Sequence, residues 1–260
     1  MNSSVKSLVD GNGLDEFLEA LCHRREVFGL KDGAERQYHL SRARSWRGSG
    51  FVLGAYRQIE PLKALFFSPR EFFGETLGEA PIRSQPDRIV VGVKNCDLAG
   101  MGIQDHIFRD LSPGDANYIE SRDKTIIVTS DCTDCRDSCF CPVVGQKPYS
   151  EAGFDINISP LAENYLIESG SERGEDLLKG LARFLRDADE HQLQERAELR
   201  RAMEERLIQQ SAAHGLRPGM DLASSIRESK GSSMWAEFAQ DCVECGACNF
   251  ACCTCHCFQL

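Results

Sequence analysis

The sequence contains no long apolar segment, no excess of basic residues and no export signal. Its longest hydrophobic runs, such as residues 89–93, are far shorter than the roughly 20 apolar residues that span a bilayer. The formal net charge is −10, which argues against a protein that holds nucleic acid or anionic lipid by bulk electrostatic attraction. The N-terminus is polar, and Arg24-Arg25 precede an acidic residue rather than a hydrophobic segment. We expect a cytoplasmic protein with no membrane span and no nucleic-acid partner.

The composition excludes two further classes of protein. With 260 residues, of which 42% are hydrophobic, the chain has enough apolar side chains for a core. It is therefore neither an intrinsically disordered protein nor a small protein that depends on disulfides. The length allows one domain or two.

Cysteine is the abundant residue. The chain has 13 cysteines, of which four lie within residues 132–141 and seven within residues 242–257, while Cys22 and Cys96 lie elsewhere. Such clustering favours metal binding. An odd number of cysteines and CxxC spacings, without a secretory segment, argue against an extracellular disulfide framework.

Two short runs predict the centre of a sheet. Residues 88–93 and 125–129 are β-branched and apolar at most positions, which is typical of central strands covered on both faces. Between them, Asp97 is placed to cap a helix over residues 98–108. The apolar residues of this helix recur at helical spacing: Ile103, Ile107 and Phe108. Strand, helix and strand in this order predict a parallel βαβ crossover, so the fold class is α/β with a mixed sheet.

Flanking elements extend this sheet. Apolar residues at helical spacing predict an amphipathic helix over residues 14–23. Alternating or β-branched patterns predict a hairpin, a strand and an antiparallel pair. The residues of these elements are 26–30 with 37–40, then 64–67, and finally 154–158 with 164–168.

The chain divides into three predicted regions. Residues 1–190 form the α/β domain, residues 191–235 a helical connector, and residues 236–260 an incomplete ferredoxin-like segment. The connector is highly charged. Its pattern predicts an apolar stripe of Leu199, Met203 and Leu207, with Arg200 on the solvent face.

The C-terminal region carries an iron–sulfur spacing. Its cysteines follow the pattern C-x2-C-x2-C-x3-C at Cys242, Cys245, Cys248 and Cys252. This is the spacing of bacterial ferredoxins, in which the fourth cysteine serves the other cluster of a two-cluster fold. Three thiolates from one loop can bind three irons of a cubane, so the run predicts a [4Fe–4S] cluster.

The fourth ligand of this cluster stays open. Because no second cysteine run follows before Leu260, either the motif is truncated, or Cys253, Cys255 or Cys257 completes it, or it closes against a partner. Tetrahedral zinc bound by thiolates is the alternative metal site. Disulfides are disfavoured in a reducing cytoplasm.

The other cysteine group follows the two predicted central strands. Cys96 comes just after residues 88–93, and the loop at 132–141 comes just after residues 125–129. The carboxyl ends of parallel neighbours open on one sheet edge, where open α/β sheets bind ligands, so we expect these thiols to converge. The predicted ligands of this second, non-ferredoxin site are Cys96, Cys132, Cys139 and Cys141. The alternatives are a zinc knuckle, free thiols, or Cys135 as ligand in place of Cys96.

Other cofactor and catalytic motifs are not evident. The glycines at 50–54 and 100–102 do not match the dinucleotide fingerprint, so this chain is not predicted to bind a flavin or a nicotinamide itself. No Ser–His–Asp, paired-carboxylate or P-loop arrangement stands out. We assign His106 and His256 no ligand role.

With these motifs assembled, the chain resembles the iron–sulfur β subunit of cytoplasmic sulfhydrogenases, which are NAD(P)-linked nickel–iron hydrogenases, and the related A subunit of anaerobic sulfite reductase. The likeness covers most of the chain. It is carried by Val93-Lys-Asn-Cys-Asp-Leu-Ala-Gly with Asp105, residues 118–122, residues 132–141 with Cys139-Phe-Cys141, Gly153-Phe-Asp, Met234-Trp235 and residues 242–258.

The resemblance implies an electron-transfer subunit with one or two [4Fe–4S] clusters, rather than a catalytic subunit. It implies two partners in an anaerobic complex, a flavin- and NAD(P)-binding subunit and a catalytic oxidoreductase subunit of the hydrogenase or sulfite reductase type. It also supports Cys96 and its three predicted co-ligands, and makes Cys135 an extra thiol. The alternatives are a redox-sensing or interaction module held together by zinc or a cluster, and a thiol catalyst using a low-pKa cysteine.

Two departures from the family pattern matter. Family members continue into a second C-x2-C-x2-C-x3-C run, which this sequence lacks. Cys253 stands where a proline normally follows the fourth cysteine, and it offers an additional thiolate.

Overall fold

The computed structural model describes residues 6–67 and 86–255, so Cys257 lies outside the described residues. The strands are β1 (Lys6–Asp10), β2 (Glu26–Asp32), β3 (Tyr38–Ala43), β4 (Phe51–Val52), β5 (Arg88–Val93), β6 (Thr125–Ser130), β7 (Ile156–Pro160), β8 (Asn164–Ser169) and β9 (Arg186–Asp187). The helices are α1 (Gly11–Cys22), α2 (Asn95–Asp105), α3 (Ala116–Asp123), α4 (Glu172–Lys179), α5 (Glu190–Ala213), α6 (Leu222–Glu228), α7 (Met234–Ala239) and α8 (Ala247–Ala251).

The described strands form one mixed sheet. Their order is β3-β2-β5-β6-β7-β8-β1-β9, with β4 paired to β2. The four central strands β2, β5, β6 and β7 run parallel, and the outer pairings are antiparallel. The predicted α/β class and the parallel crossover from β5 to β6 are therefore confirmed.

Both faces of the central strands are covered. Every residue of β5 and β6 is buried. Ile89 packs with Phe17 of α1 on one face, while Val90 packs with Met101 of α2 and Tyr118 of α3 on the other. This two-sided burial explains why both strands are apolar at successive positions rather than at alternate ones.

Three flanking predictions are confirmed with small shifts of their boundaries. The first predicted helix is α1, with its predicted apolar face buried. The hairpin is formed by β2 and β3, and the antiparallel pair by β7 and β8. Among the described residues, no helix is long and apolar enough to cross a membrane.

The predicted strand at residues 64–67 is wrong. This segment lies in a short 3₁₀ turn, Leu62–Leu65, and the residues that follow it. Leu62 and Phe66 are both buried in the core cluster that contains Val90. The backbone from Leu62 to Phe66 is helical rather than extended, so these apolar residues reach the core from a turn.

The helix after β5 begins earlier than predicted and buries a different face. Helix α2 starts at Asn95, so Asp97 lies in its first turn rather than capping it. Ile103 and Ile107 are exposed, whereas Met101 and Gln104 are buried. Burial here follows contacts with distant segments, which the local pattern does not contain.

The solvent face predicted for Arg200 is also wrong. Its guanidinium lies against the sheet edge and binds the buried carboxylate of Asp131. Met203 and Leu207 of the same helix are buried as predicted, whereas Leu199 of the predicted stripe is exposed. An arginine on an amphipathic helix gives the same sequence pattern whether it faces water or a buried acid.

Candidate metal centre at the sheet edge

The candidate centre lies where β5 and β6 end. These strands pair in parallel with Val93 opposite Thr129, so the segments that follow them leave the same edge of the sheet. Cys96 sits in the first turn of α2, directly after β5. The loop at 132–141 follows β6. The structure thus brings together the four thiols predicted for this site, as the parallel pairing requires.

The thiols of Cys96 and Cys141 are hydrogen-bonded to each other. Because Cys96 donates to the sulfur of Cys141, this contact raises the pKa of Cys96 and lowers the pKa of Cys141 to about 7. Cys132 lies close enough to interact electrostatically with both. Burial raises the pKa of Cys132 to about 12, although the Lys94 ammonium opposes that rise. These thiols are shielded from water and grouped, which is the environment of a ligand set.

Backbone hydrogen bonds fix both ends of the cysteine loop. The amide of Cys132 donates to the carbonyl oxygen of Pro148 at 2.8 Å, and the amide of Gln146 donates to that of Cys141 at 2.8 Å. The Asn95 side chain donates to the carbonyl oxygen of Lys147 at 3.0 Å. Helix α2 and the loop are therefore held side by side.

Cys135 joins the group as a fifth thiol. It is buried against Met203 and Leu207 of α5, with Cys132 and Cys139 packed beside it. Its thiol donates to Gln210 Oε1 at 3.0 Å. The thiol of Cys135 is thus already hydrogen-bonded to a side chain of α5. This agrees with the interpretation of Cys135 as an extra thiol rather than a ligand.

Cys139 has a different environment. Its sulfur accepts a hydrogen bond from the amide of Arg136 at 3.3 Å. Burial raises the pKa of the Cys139 thiol, and this amide opposes the rise. Amide donors to ligating sulfurs are one of the features by which proteins set the potentials of iron–sulfur clusters.

A fully buried lysine lies beneath the thiols. Lys94 Nζ donates to the carbonyl oxygens of Gly54 at 2.7 Å, Ser130 at 3.3 Å and Asp131 at 3.3 Å. Burial lowers the pKa of Lys94, and the acidic groups of Cys132 and Asp131 oppose that shift. Three carbonyl acceptors match the three donors of an ammonium group, so the hydrogen-bonding geometry favours a buried positive charge.

Asp97, the residue that follows Cys96, carries a fully buried carboxylate. It accepts hydrogen bonds from Arg57 Nε at 2.9 Å and from Gln58 Nε2 at 3.2 Å. Burial raises the pKa of Asp97, and the charge of Arg57 opposes the rise. Arg57 and Lys94 each place a positive charge close enough to interact electrostatically with Cys96.

Helix α5 closes the site from the other side. Arg200 binds both carboxylate oxygens of Asp131, at 2.7 and 3.0 Å. Arg206 binds Asp134 at 2.7 Å. Gln210 donates to the carbonyl oxygen of Arg136 at 2.6 Å. The helix predicted to be a solvated connector therefore holds the cysteine loop along much of its length.

A surface cleft borders the site at Cys132. A cleft of about 360 Å³ opens between α5 and the end of β6, and Cys132 lies in its wall. Tyr149 lines the same cleft, with the Arg200 guanidinium 4.3 Å from the centre of its ring.

The C-terminal cysteine run, residues 242–255, is more open. Cys242, Cys245 and Cys248 are exposed, and Cys252 is partly buried. Gly246 adopts a left-handed conformation with φ of 73°, which lets the loop turn back just before α8. The structure places these residues on one surface loop without drawing their thiols together.

The structure separates the described candidates for a fourth ligand. Burial raises the pKa of Cys252, but hydrogen bonds from Cys255 and Thr254 outweigh it and lower the pKa to about 7. Cys255 therefore lies beside Cys252. Cys253 points away from them, and its sulfur lies 4.0 Å from the carbonyl oxygen of Cys96. Cys253 thus joins the C-terminal run to the sheet-edge site.

The donor sets fit an iron–sulfur cluster by their chemistry. Both groups offer soft thiols, the ligands that iron–sulfur clusters and zinc require. Within residues 6–67 and 86–255, no three Cys, His, Asp or Glu side chains close around one point as a single metal ion would need. In a cubane each thiolate binds a different iron, so its ligands need not converge on one point. The ligand roles of the eight cysteines stay predictions.

Comparison with known proteins gives one clear similarity. No protein-family model matches the sequence. Over 206 residues, the chain is 27% identical to sulfhydrogenase 2 subunit beta of Pyrococcus furiosus. By this match the chain is similar to a sulfhydrogenase β subunit. The alignment covers 78% of this chain and 59% of that longer relative. The resemblance drawn from the motifs is thereby confirmed, while the details of its cluster motifs are not tested.

Sequence reasoning missed several residues around the thiols. Lys94 and Asp131 do carry a signal, because each is a charged residue at the end of an otherwise apolar central strand. Arg57 and Gln210 carry none, because each reaches the site from a segment distant in sequence.

We predict that Arg200→Met lowers the free energy of unfolding of the metal-free protein by about 3 kcal/mol, because the buried Asp131 carboxylate loses its guanidinium partner and is left with the neutral amide of Asn157 as a hydrogen-bond donor. Urea denaturation measures this change. The Asp131 and Arg200 side chains are 8% and 14% exposed. Arg47→Met is the matched control, because Arg47 and Glu16 are 53% and 49% exposed. It should cost less than about 1 kcal/mol.

A double variant tests the cause. Arg200→Met combined with Asp131→Asn should regain part of the lost stability, since no unpaired charge then stays buried. Equal losses in Arg200→Met and Arg47→Met would contradict the assignment of Arg200 to a buried ion pair.

Proposed function

We propose that this chain is an iron–sulfur electron-transfer subunit of a multisubunit oxidoreductase. In this proposal one [4Fe–4S] cluster is held by Cys96, Cys132, Cys139 and Cys141. A second is held by the C-terminal cysteines Cys242, Cys245, Cys248 and Cys252, with its ligand set completed as the alternatives above allow. Each cluster, when bound, would accept and release one electron. The chain would perform no terminal chemistry of its own.

The contact between Cys253 and Cys96 carries this proposal. Cys253 follows Cys252 directly, and its sulfur reaches the main chain of Cys96. The residue that follows Cys252, the last predicted ligand of one site, therefore contacts the main chain of Cys96, the first predicted ligand of the other. Two such sites in one chain suit an electron relay, whereas a structural zinc site needs no redox neighbour.

The buried charges suit the same role. Reduction adds a negative charge to a cluster, and Lys94 and Arg57 place positive charge beside Cys96 to stabilise it. The carboxylate of Asp97 offsets part of this charge. These residues would tune the sheet-edge site without binding metal themselves.

Partner subunits are part of the proposal. The relative in Pyrococcus furiosus is named as a β subunit of a sulfhydrogenase. By that likeness, we place this chain in the cytoplasm, between a flavin- and NAD(P)-binding subunit and a catalytic subunit of the hydrogenase or sulfite reductase type. The composition of the complex, its electron acceptor and its electron donor are all parts of this proposal.

One observation favours the alternative of a metal-stabilised interaction module. Apolar side chains around the C-terminal run are strongly exposed, with Phe238, Val243 and Phe250 at 78%, 82% and 60%. Contiguous exposed apolar surface is typical of a protein–protein contact. Because electron transfer to a partner needs such a contact too, the metal itself must decide between the two functions.

The deciding experiment is an analysis of iron, zinc and acid-labile sulfide in the full chain purified without oxygen. Two cubanes predict about eight iron and eight sulfide per chain, with a brown colour. About four of each would leave one cysteine group without a cluster. Zinc without sulfide would give a colourless protein, and would replace electron transfer by the interaction module.

We predict that Cys96→Ser lowers the iron content by about half, because it removes one ligand of one of two clusters. Iron analysis and electron paramagnetic resonance of the reduced protein measure this loss. Cys22→Ser is the matched control, since Cys22 packs at the edge of the core cluster that contains Ile89. It should keep the full iron content. If Cys96→Ser keeps it too while the fold holds, Cys135 becomes the better candidate ligand.

A further inference from the structure

Four main-chain carbonyl oxygens of the C-terminal cysteine run are bound by side chains of the α/β domain. Lys63 Nζ donates to Asn249 at 2.7 Å and to Cys255 at 2.6 Å. Arg57 Nη2 donates to Ala251 at 3.1 Å, and Gln104 Nε2 donates to Cys253 at 2.8 Å. All four acceptors lie at alternate residues of one short segment: Asn249, Ala251, Cys253 and Cys255.

A glycine makes room for this contact. Gly100 lies in α2, and a Cβ built there would lie 2.8 Å from the sulfur of Cys253 and 2.9 Å from its Cβ. Real Cβ atoms do not approach other atoms so closely, so any side chain at Gly100 would displace Cys253. Gly102, two positions further along the same helix, faces open space, since nothing lies within 4 Å of its Cβ position. The two glycines therefore differ in whether a side chain would meet the run.

The side chains of Arg57, Lys63 and Gln104 bind main-chain carbonyl oxygens of the run rather than its side chains. Main-chain carbonyls at alternate residues can meet Lys63, Arg57 and Gln104 together only when the segment has one particular conformation. Gln104 is 1% exposed with the run in place, and its amide nitrogen loses the Cys253 partner if the run moves away. The surface therefore distinguishes the folded run from an unfolded one.

We propose that Arg57, Lys63, Gly100 and Gln104 form a docking cradle that selects the folded conformation of the C-terminal cysteine run, so that docking of the run and its binding of metal stabilise each other. The metal half of this inference rests on the proposed function. The docking half rests on the contacts alone. The cradle residues are positioning residues, and none of them is a ligand.

Thermodynamic linkage makes the coupling reciprocal. If metal binding favours the docked conformation, docking must strengthen metal binding by the same factor. Arg57 extends this coupling to the other site, because the same guanidinium binds Ala251 and Asp97, the neighbour of Cys96. The cradle thereby also fixes the separation of the two cysteine groups.

The test compares Gly100→Ala with Gly102→Ala in the full chain. Both changes replace a glycine of α2 by alanine, which has the higher helix propensity, so neither should unfold the helix. Only Gly100→Ala should displace Cys253. Amide hydrogen exchange over residues 247–255 should become about tenfold faster in Gly100→Ala and stay unchanged in Gly102→Ala, while exchange in β5 stays unchanged in both.

A second variant avoids any change to the helix. Lys63→Met removes two of the four hydrogen bonds to the run from a partly exposed side chain. It should also speed exchange over residues 247–255. Equal exchange in wild type, Gly100→Ala and Lys63→Met would overturn the cradle.

The coupling is measured by the rate at which a chelator removes iron from the anaerobically reconstituted chain. The Cys96→Ser background is used, so that the iron monitored belongs to the C-terminal run. Iron should leave several-fold faster with Gly100→Ala than with Gly102→Ala. Faster exchange with an unchanged rate of iron loss would overturn the coupling. A chain that binds no iron would refute the proposed function, and exchange in the metal-free protein would still test the cradle.

Discussion

The parallel pairing of β5 with β6 is the constraint on which the candidate metal centre depends. It aligns Val93 with Thr129, so that the two chain segments leaving the sheet start side by side. Cys96 and Cys132 meet for this reason alone, although a helix, a π-helical turn and a second helix separate them in sequence. The strand register sets the positions of the two segments. The hydrogen bonds of the cysteine loop and the packing of α5 then hold the thiols within that arrangement.

Buried charges then hold this edge in place. Lys94 ties the ends of both strands to the loop at Gly54, while Asp97 is bound by Arg57 and Asp131 by Arg200. A buried charge without a partner is strongly destabilising, so each of these pairs resists movement of the segment that carries it. The sheet-edge thiols are thus positioned by protein groups. The C-terminal run is held through its carbonyl oxygens, and three of its thiols stay exposed.

The sequence pattern predicts the parts of this arrangement that depend on local periodicity. Continuous apolar runs identified β5 and β6, and their order in the chain placed Cys96 beside the loop at 132–141. Contacts between residues distant in sequence cannot be predicted from local periodicity. Arg57 reaches Ala251, which is distant in sequence, and Arg200 gives the same helical pattern whether it faces water or Asp131. Asp97 was interpreted as a helix cap because capping is local, whereas its burial depends on Arg57.

The contrast in burial between the two cysteine groups gives the proposed relay a direction in space. The sheet-edge thiols are partly buried beside α2 and α5, and Cys132 lies in the wall of a surface cleft. Cys242, Cys245 and Cys248 face solvent, next to the exposed side chain of Phe250. An external donor or acceptor would therefore approach the C-terminal run first. Electrons would reach the sheet edge through the contact between Cys253 and Cys96, because the cradle holds the run in that position.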